Sequence, residues 1–165
     1  MPGWDKVPSF PVAWPRMSPE GFTEYLHRSI PLSAAMQLRV TASGEGHIEL
    51  LAPLPPNRNH QASAFGGSLS TLGIVSGWAL LQQELLREKL EPRIVIQRSE
   101  CDFILPVEAD FTARCSLPPE EWQRFLATLR KRGRARITLH SSLASAGREA
   151  VRHSGTFVAI NGNPT

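Results

Sequence analysis

The sequence predicts an α+β fold in which a curved antiparallel β-sheet wraps around one long central α-helix. The first observation is a nearly apolar run over residues 69–81, which lies inside a helical stretch and should be buried. The second is a set of six strand-like segments placed before and after that helix. The third is that short turns join consecutive strands, which favours antiparallel pairing. A single apolar helix needs a sheet to bury against, and one curved sheet satisfies that need.

The first 17 residues form a segment of their own. Four prolines alternate with Trp4, Phe10 and Trp14, so regular structure is excluded while the aromatic side chains favour burial. We expect an irregular arm over residues 1–17 that lies on the surface of its own fold or on a partner subunit. The remaining residues, 18–165, have the size of a single domain.

The first helix and the first two strands follow from local signals. Residues 18–20 read Ser-Pro-Glu, which is an N-cap, a proline at the first helical position and an acid, and Pro31 ends this helix. Residues 36–40 alternate as a strand does, and residues 47–51 return as a second strand after a Gly-Glu-Gly turn. One helix followed by a hairpin is therefore expected.

The central helix is expected from about Gly67 to Lys89. Its first half is apolar on every side and should be buried, whereas its second half, residues 82–89, is polar and should emerge into solvent. At a rise of about 1.5 Å per residue the helix is roughly 30 Å long, which is the width of a small domain.

Four more strands and a shorter helix follow the central helix. The helix begins after Pro118 and ends at Gly133, with basic side chains in its last turn. The strands show runs that alternate between apolar and polar side chains. The strand segments are residues 93–105, 109–117, 135–143 and 149–160.

Composition and charge exclude several classes of protein. The net charge of +3 and the pI near 9.3 are too weakly basic to argue for nucleic-acid binding, although they suit a polyanionic small ligand. Two cysteines, Cys101 and Cys115, are too few for a disulfide framework and are interpreted as free thiols in a reducing compartment. The five histidines show no metal-ligand spacing, so no metal is expected.

No targeting or membrane segment is apparent in the sequence. Prolines and Asp5 interrupt the first fifteen residues, where a signal peptide would lie. The longest apolar run has 13 residues, which is shorter than the roughly 20 that cross a bilayer. A cytoplasmic protein is therefore expected, with no membrane span and no cofactor.

Two stretches carry a resemblance to a known family. Residues 56–69 read PNRNHQASAFGGSL, with Trp78 following in the helix, and residues 94–118 read IVIQRSECDFILPVEADFTARCSLP. Together they resemble the thioesterase family named after the C-terminal domain of YiiD, over about residues 20–162. The resemblance implies the hotdog fold, which is the arrangement of sheet and helix described above. It also implies a homodimer or a dimer of dimers with sites between protomers.

The reaction that the resemblance implies is hydrolysis of an acyl thioester. This reaction needs an oxyanion hole, an oriented water molecule and a general base. The N-terminus of the central helix, at Gly66 and Gly67, offers unpaired backbone N–H groups and a dipole that favours negative charge. The alternative is that the two glycines only make a tight turn against the sheet.

The polar loop before these glycines holds the next candidates. In related acyl-CoA thioesterases an Asn or Gln six residues before the His of a His-Gly-Gly motif orients water or the thioester. The resemblance carries that role to Asn59, which lies six residues before Phe65. The alternative is an Asx turn that caps its own loop. His60 is a candidate general base because imidazole titrates near neutral pH, although a loop histidine is commonly only solvated. Asn57 is a candidate for substrate binding.

The sequence also departs from the pattern of the related enzymes. Phe65 stands where their His-Gly-Gly motif has His, and Ile74 stands where their central helix has a carboxylate. No carboxylate occurs within residues 66–83, so a base must come from elsewhere. Asp102, with Glu100, lies on the strand after the helix and is the candidate for reaching a site between protomers. The alternative is a solvated strand face.

The remaining candidates are expected to bind substrate. Phe65 and Ser68 flank the two glycines at the helix start. Arg132 and Arg134 belong to the only basic run in the chain and are candidates for the phosphates of coenzyme A. The alternative is that the basic run complements the dipole at a helix C-terminus and then continues along a strand face that is exposed to solvent.

Acyl-thioester hydrolase is the leading interpretation, with an acyl-CoA or an acyl carrier protein thioester as substrate. A hotdog hydratase or dehydratase is a second enzyme class, but that chemistry uses a His with an acid on the helix, and the acid is missing. A non-catalytic acyl-thioester binder is the alternative from another class, because Phe65 and Ile74 replace groups that the related enzymes carry. Nucleic-acid binding through the arginine run would appear as a salt-sensitive gel shift.

Overall fold

The computed structural model describes residues 17–162, so the predicted N-terminal arm lies outside the described residues except for its last position. The helices are α1 (Pro19–Ser29), α2 (Pro31–Ala35), α3 (Gly66–Arg87) and α4 (Pro119–Arg132). The strands are β1 (Arg39–Gly44), β2 (His47–Ala52), β3 (Arg93–Phe103), β4 (Phe111–Ser116), β5 (Arg134–Ser145) and β6 (Arg148–Ile160).

The described strands form one sheet in the order β1-β2-β4-β5-β6-β3, and every neighbouring pair is antiparallel. The long helix α3 packs against β2, β3, β4, β5 and β6. The predicted hotdog arrangement, a sheet wrapped around one central helix, is confirmed. The physical reason is that α3 is apolar around most of its first half, so only a sheet that covers several sides of the helix removes that surface from water.

The start of the domain shows one difference from the prediction. The Ser18 hydroxyl accepts a hydrogen bond from the Gly21 N–H at 3.1 Å and caps α1, as its sequence indicates. Pro31 ends α1 but also opens the second helix, α2, because proline at the first helical position has no N–H to satisfy. The strand predicted from residue 36 therefore begins only at Arg39.

Glycines set how closely α3 approaches the sheet. A Cβ atom on Gly73 would lie 2.5 Å from His153 Cγ, and one on Gly77 would lie 2.7 Å from the Phe157 ring. Both partners belong to β6, so α3 crosses that strand at a distance that a larger residue would not allow. The helix starts beside the end of β3, where Gly66 contacts the Phe103 ring.

The segment predicted to emerge into solvent, residues 82–89, does so only at its end, where Glu88 and Lys89 are exposed. Gln83 and Glu84 are buried, with exposed fractions of 3% and 5%. The Glu84 carboxylate accepts hydrogen bonds from the Gly46 N–H at 3.1 Å, from Gln83 Nε2 at 2.8 Å and from Arg87 at 3.0 Å. The prediction from polarity failed because the turn between β1 and β2 folds over this end of the helix and satisfies the carboxylate.

We expect the Glu84→Ala variant to lose about 2–4 kcal/mol of unfolding free energy, because it removes the acceptor of the part-buried Gly46 N–H and one of the two acceptors of the buried Gln83 amide. Glu84→Gln keeps an acceptor oxygen and should lose about 1 kcal/mol or less. Urea titrations of both variants measure the difference. Equal losses in the two variants would show that the charge, and not the hydrogen bond to the turn, matters.

Strand β3 is an edge of the sheet, and its 11 residues make it a long one. Four large apolar side chains on and after it are exposed: Val95, Ile96, Phe103 and Ile104. In the middle of the sheet, β4 pairs with β5 only over Phe111–Cys115, and α4 packs beside β5. None of the helices within residues 17–162 is both long and apolar enough to cross a membrane.

Candidate active site

The N-terminus of α3 has unpaired donors. No side chain caps this helix, and the first helical bond to be made is from the Leu69 N–H to the Phe65 carbonyl at 3.1 Å. The N–H groups of residues 66–68 consequently make no hydrogen bond within the described part of the chain. They carry the positive end of the helix dipole, so an oxygen that gains negative charge would be stabilised there.

Two phenyl rings flank these donors. The Phe65 ring lies over Gly67, where an added Cβ would come within 2.9 Å of Phe65 Cδ1. The Phe103 ring touches Gly66, at 3.7 Å from an added Cβ. Phe65 and Phe103 are 57% and 56% exposed, so both rings offer apolar surface to a ligand at the helix start. A cavity of about 240 Å³ lies beside them and is lined by residues 63–64, Gly66, Leu69 and residues 103–107.

Asn59 is tied into its own loop. Its Oδ1 accepts hydrogen bonds from the Gln61 N–H at 2.8 Å and the Ser63 N–H at 3.3 Å, which is the Asx turn that stood as the alternative. Its Nδ2 donates to Ser63 Oγ at 3.1 Å. An amide nitrogen carries two hydrogens, so one donor of this half-buried side chain is left for a ligand.

The other two loop candidates differ in exposure. Asn57 is buried, and its Nδ2 donates to the carbonyls of Met36 at 2.9 Å and Pro53 at 2.7 Å, so both amide hydrogens are used. The backbone carbonyl of Asn57 also accepts a hydrogen bond from the Phe65 N–H at 2.8 Å, and this bond anchors the chain immediately before α3. Asn57 therefore positions the loop. His60 is exposed and makes no hydrogen bond with the described residues.

Asp102 is not brought to the start of α3 within one chain. Its neighbour Cys101 faces the helix, because Cys101 Sγ contacts Ser70 Oγ at 3.3 Å. Alternation along β3 then directs Asp102 and Glu100 to the opposite face of the sheet. Asp102 is the cross-strand partner of Arg152 there, and Glu100 pairs with Arg98 at 2.5 Å. Its role as base in a site between two copies stays a prediction.

Arg132 and Arg134 lie far from the start of α3 in the same chain. Arg134 and Arg93 both pair with Ile160, so Arg134 stands level with the beginning of β3, whereas Gly66 contacts its end. Ten strand residues at about 3.3 Å each separate those two levels by roughly 30 Å. A larger cavity of about 390 Å³ between α4 and β5 has neither glycine in its lining. One chain therefore does not bring these arginines to the helix start.

Sequence reasoning missed a polar cluster between α3 and the sheet, formed by Ser70, Ser99, Cys101 and His153. His153 Nε2 lies 2.9 Å from Ser99 Oγ, and the ring is 2% exposed. Its Nδ1 is buried and has no partner within residues 17–162. One feature of the sequence could have indicated this cluster. In the last strand, His153 alternates in step with Val151 and Gly155, so its side chain is expected on the face of the sheet that is buried.

Burial sets the protonation of two groups near the helix. It lowers the pKa of His153 to about 4, with a smaller contribution from the charge of His140. His153 is therefore neutral at pH 7 and offers one donor and one acceptor. Burial raises the pKa of Cys115 to about 11, so this thiol stays protonated and is not a nucleophile. Residues 17–162 contain no group of three His, Cys, Asp or Glu side chains arranged to hold a metal ion.

Comparison with protein families gives one match. The model of the family described as "Putative thioesterase (yiiD_Cterm)" matches residues 20–161, which is most of the chain. A search of the curated proteins gave no match.

Solved structures with the same fold come from several bacteria. A protein of unknown function from Chlorobaculum tepidum is 25% identical, with 86% of this chain and 93% of that chain covered and a TM-score of 0.79. A putative thioesterase from Shewanella oneidensis is 23% identical, with 84% and 94% covered and a TM-score of 0.77. A probable thioesterase from Pseudomonas aeruginosa is 20% identical, with 88% and 97% covered and a TM-score of 0.76.

Proposed function

The chain belongs to the thioesterase family of the YiiD C-terminal domain, and we propose that it hydrolyses acyl-CoA thioesters at the N-terminus of α3. Family membership supports thioester hydrolysis in general. The acyl-CoA substrate and the roles of the individual residues are proposed from the geometry at the start of α3. An acyl carrier protein thioester is the other carrier consistent with the same chemistry.

The observation that carries this proposal is the uncapped start of α3. Attack of water on a thioester carbonyl turns the carbonyl oxygen into an oxyanion. The N–H groups of Gly66 and Gly67 are unpaired, and the absence of a Cβ on Gly66 lets the carbonyl approach beside the Phe103 ring, whereas the Phe65 ring fills the corresponding space at Gly67. The tetrahedral intermediate then expels the thiolate as the carbon–sulfur bond breaks, and the thiolate takes up a proton.

Water and base come from the loop before the helix in this proposal. The free hydrogen of Asn59 Nδ2 orients the thioester or the attacking water. His60 is the neighbouring titratable side chain and is exposed, so it can take the proton from water without leaving a buried charge. Ser68 in the first turn of α3 and the phenyl ring of Phe65 contact the acyl group.

A second copy of the chain completes the site in this proposal. The long edge strand β3 leaves backbone hydrogen-bonding groups and four large apolar side chains uncovered, and a second β3 would cover them. Antiparallel pairing of the two strands sets the Arg93 end of one copy beside the Phe103 end of the other. The partner copy would then supply the Arg132 and Arg134 guanidinium groups for the coenzyme A phosphates.

Free-thiol release from a panel of acyl-CoA esters, from short to long, tests the proposal. We expect wild-type protein to turn over at least one ester, and Asn59→Asp to reduce kcat by about 100-fold, which is typical of a lost transition-state contact. The carboxylate keeps the acceptor for the Gln61 and Ser63 N–H groups, so the backbone turn is preserved, and it removes both Nδ2 hydrogens, including the one donated to Ser63 Oγ.

The melting temperature of Asn59→Asp serves as the control for an intact loop. Full activity of this variant would remove Asn59 from the mechanism while leaving the hydrolase assignment in place. If no ester is hydrolysed by wild type, the assignment itself fails.

A non-catalytic acyl-thioester binder is the second candidate function. It is favoured by the lack of any carboxylate within residues 66–83, together with Ile74 at the half-buried position where related enzymes carry one. A rise in melting temperature with an acyl-CoA that is not hydrolysed would support binding without turnover.

A further inference from the structure

Strand β5 has an unpaired stretch although it lies in the interior of the sheet. It pairs with β6 from Arg134 to Ser145, but β4 accompanies it only from Ser141 onward. Residues 134–140 therefore have no strand on the side that faces β4. Residues of an antiparallel strand direct their N–H and C=O groups alternately to the two sides, so about half of this stretch points them away from β6. No other backbone group within residues 17–162 bonds to them.

The cavity of about 390 Å³ between α4 and β5 lies along this unpaired edge. Arg136, Ile137 and Thr138 all line it, although consecutive side chains of a strand point to opposite faces of the sheet. Three consecutive residues share one cavity when the cavity runs beside the edge of their strand. The other edge is occupied, because the same residues pair with residues 156–158 of β6. Helix α4 forms the opposite wall but cannot pair with β5, since its interior backbone groups bond within the helix.

The lining of this cavity combines apolar surface with two unpaired positive charges. Phe125 and Ile137 are 3% and 4% exposed and face the core. Arg124 of α4 and Arg136 of β5 are exposed, and neither guanidinium makes a hydrogen bond or an ion pair within residues 17–162. Among the lining residues, Glu121 supplies one carboxylate, so positive charge is in excess. A matching ligand is acidic toward solvent and apolar toward the core.

We propose that the gap between α4 and β5 binds an extended acidic segment of a partner protein, which adds to β5 as a strand. The unpaired N–H and C=O groups of residues 134–140 supply the main-chain hydrogen bonds of such an addition. Side chains of the added strand that point inward meet Phe125 and Ile137 and are apolar. Those that point outward meet Arg124 and Arg136 and are acidic. A segment that alternates between apolar and acidic residues satisfies both faces, and its binding is independent of thioester hydrolysis.

Two other occupants match the gap less well. A small inorganic anion would pair with the arginines but would leave the main-chain groups of β5 and the apolar lining without partners. Residues 1–16 of this chain carry Asp5 against Lys6 and Arg16, so their charge does not complement the arginines. They also contain four prolines, which have no N–H to donate to a neighbouring strand.

Fluorescence anisotropy with the fluorescein-labelled peptide Glu-Val-Glu-Val-Glu tests the proposal. We expect wild-type protein to bind this probe with a Kd below about 1 mM. Arg124→Glu and Arg136→Glu should each weaken binding by about fivefold or more, because a like charge then faces the probe. The matched control is Arg148→Glu, which makes the same change at an exposed arginine level with Ser145, at the other end of β5. Its Kd should stay within about twofold of wild type.

A second peptide separates strand addition from simple attraction between charges. The same sequence methylated on its internal amide nitrogens keeps every charge but cannot donate to β5, and it should bind at least about tenfold more weakly. Equal binding of the methylated peptide, full affinity in both arginine variants, or no binding of the probe to wild type at about 1 mM would each overturn the proposal. Displacement of the probe by a peptide of residues 1–16 would overturn it too, because the gap would then belong to this chain's own N-terminal segment.

Discussion

The Gly66→Pro variant should lose about 100- to 1,000-fold in kcat for thioester hydrolysis while remaining folded, because it removes one oxyanion donor. Gly66 is the first residue of α3, where proline is favoured since its ring already has a helical φ. The preceding residue, Phe65, has φ −66° and ψ 131°, which is the extended conformation that a following proline requires. The substitution therefore deletes a single N–H group from the proposed site with little strain.

Gly66→Ala is the control for this variant. It keeps the N–H group, and its added Cβ would lie at an ordinary contact distance of 3.7 Å from the Phe103 ring. Its kcat should stay within about threefold of wild type, and the melting temperatures of both variants should match that of wild type or exceed it slightly. If the proline variant keeps full kcat, the oxyanion is not held at Gly66. If both variants lose activity equally, the effect is steric and does not come from the donor.

The Gly73→Ala variant should lose about 2–3 kcal/mol of unfolding free energy, which corresponds to a drop of roughly 5–10 °C in Tm for a chain of this size. The new Cβ would lie 2.5 Å from His153 Cγ and 2.8 Å from His153 Cβ. Because these atoms belong to the base of the side chain, rotation of the ring does not relieve the contact. Either α3 or β6 has to move, and both are packed against the core.

Two further variants separate this overlap from the general effect of alanine in a helix. Gly21→Ala in α1 meets nothing nearer than Ser18 Oγ at 3.6 Å and should gain about 0.5–1 kcal/mol through helix propensity. His153→Ala removes the nearest contact atom, so Gly73→Ala should cost at least about 1 kcal/mol less in that background. Thermal or urea unfolding of the single and double variants measures this coupling. A Gly73→Ala protein as stable as Gly21→Ala would contradict the close approach of α3 to β6.

The candidate site could be predicted only in part from the sequence. The glycines at the start of α3 could be proposed from the sequence because helix capping is local, and the missing cap is visible in the residues next to them. Asn59 could be proposed as well, but whether it caps its own loop could not be decided from the sequence, since both roles use the same residue in the same turn. The sequence also does not show which face of β3 carries Asp102. Alternation places Cys101 and Asp102 on opposite faces, but only the folded structure shows that Cys101 is the one that faces the helix.

The sequence by itself determined the elements whose causes lie within a few residues. Apolar alternation marked the strands, the Ser-Pro start marked α1, and the apolar run marked the buried part of α3. The tertiary structure alone decided that Glu84 is buried under a turn 38 positions away and that His153 meets Ser99 across 54 positions. Such contacts depend on the strand order, which places β3 beside β6, and no local pattern specifies that order. The polar cluster of Ser70, Ser99, Cys101 and His153 therefore exists only in the folded chain.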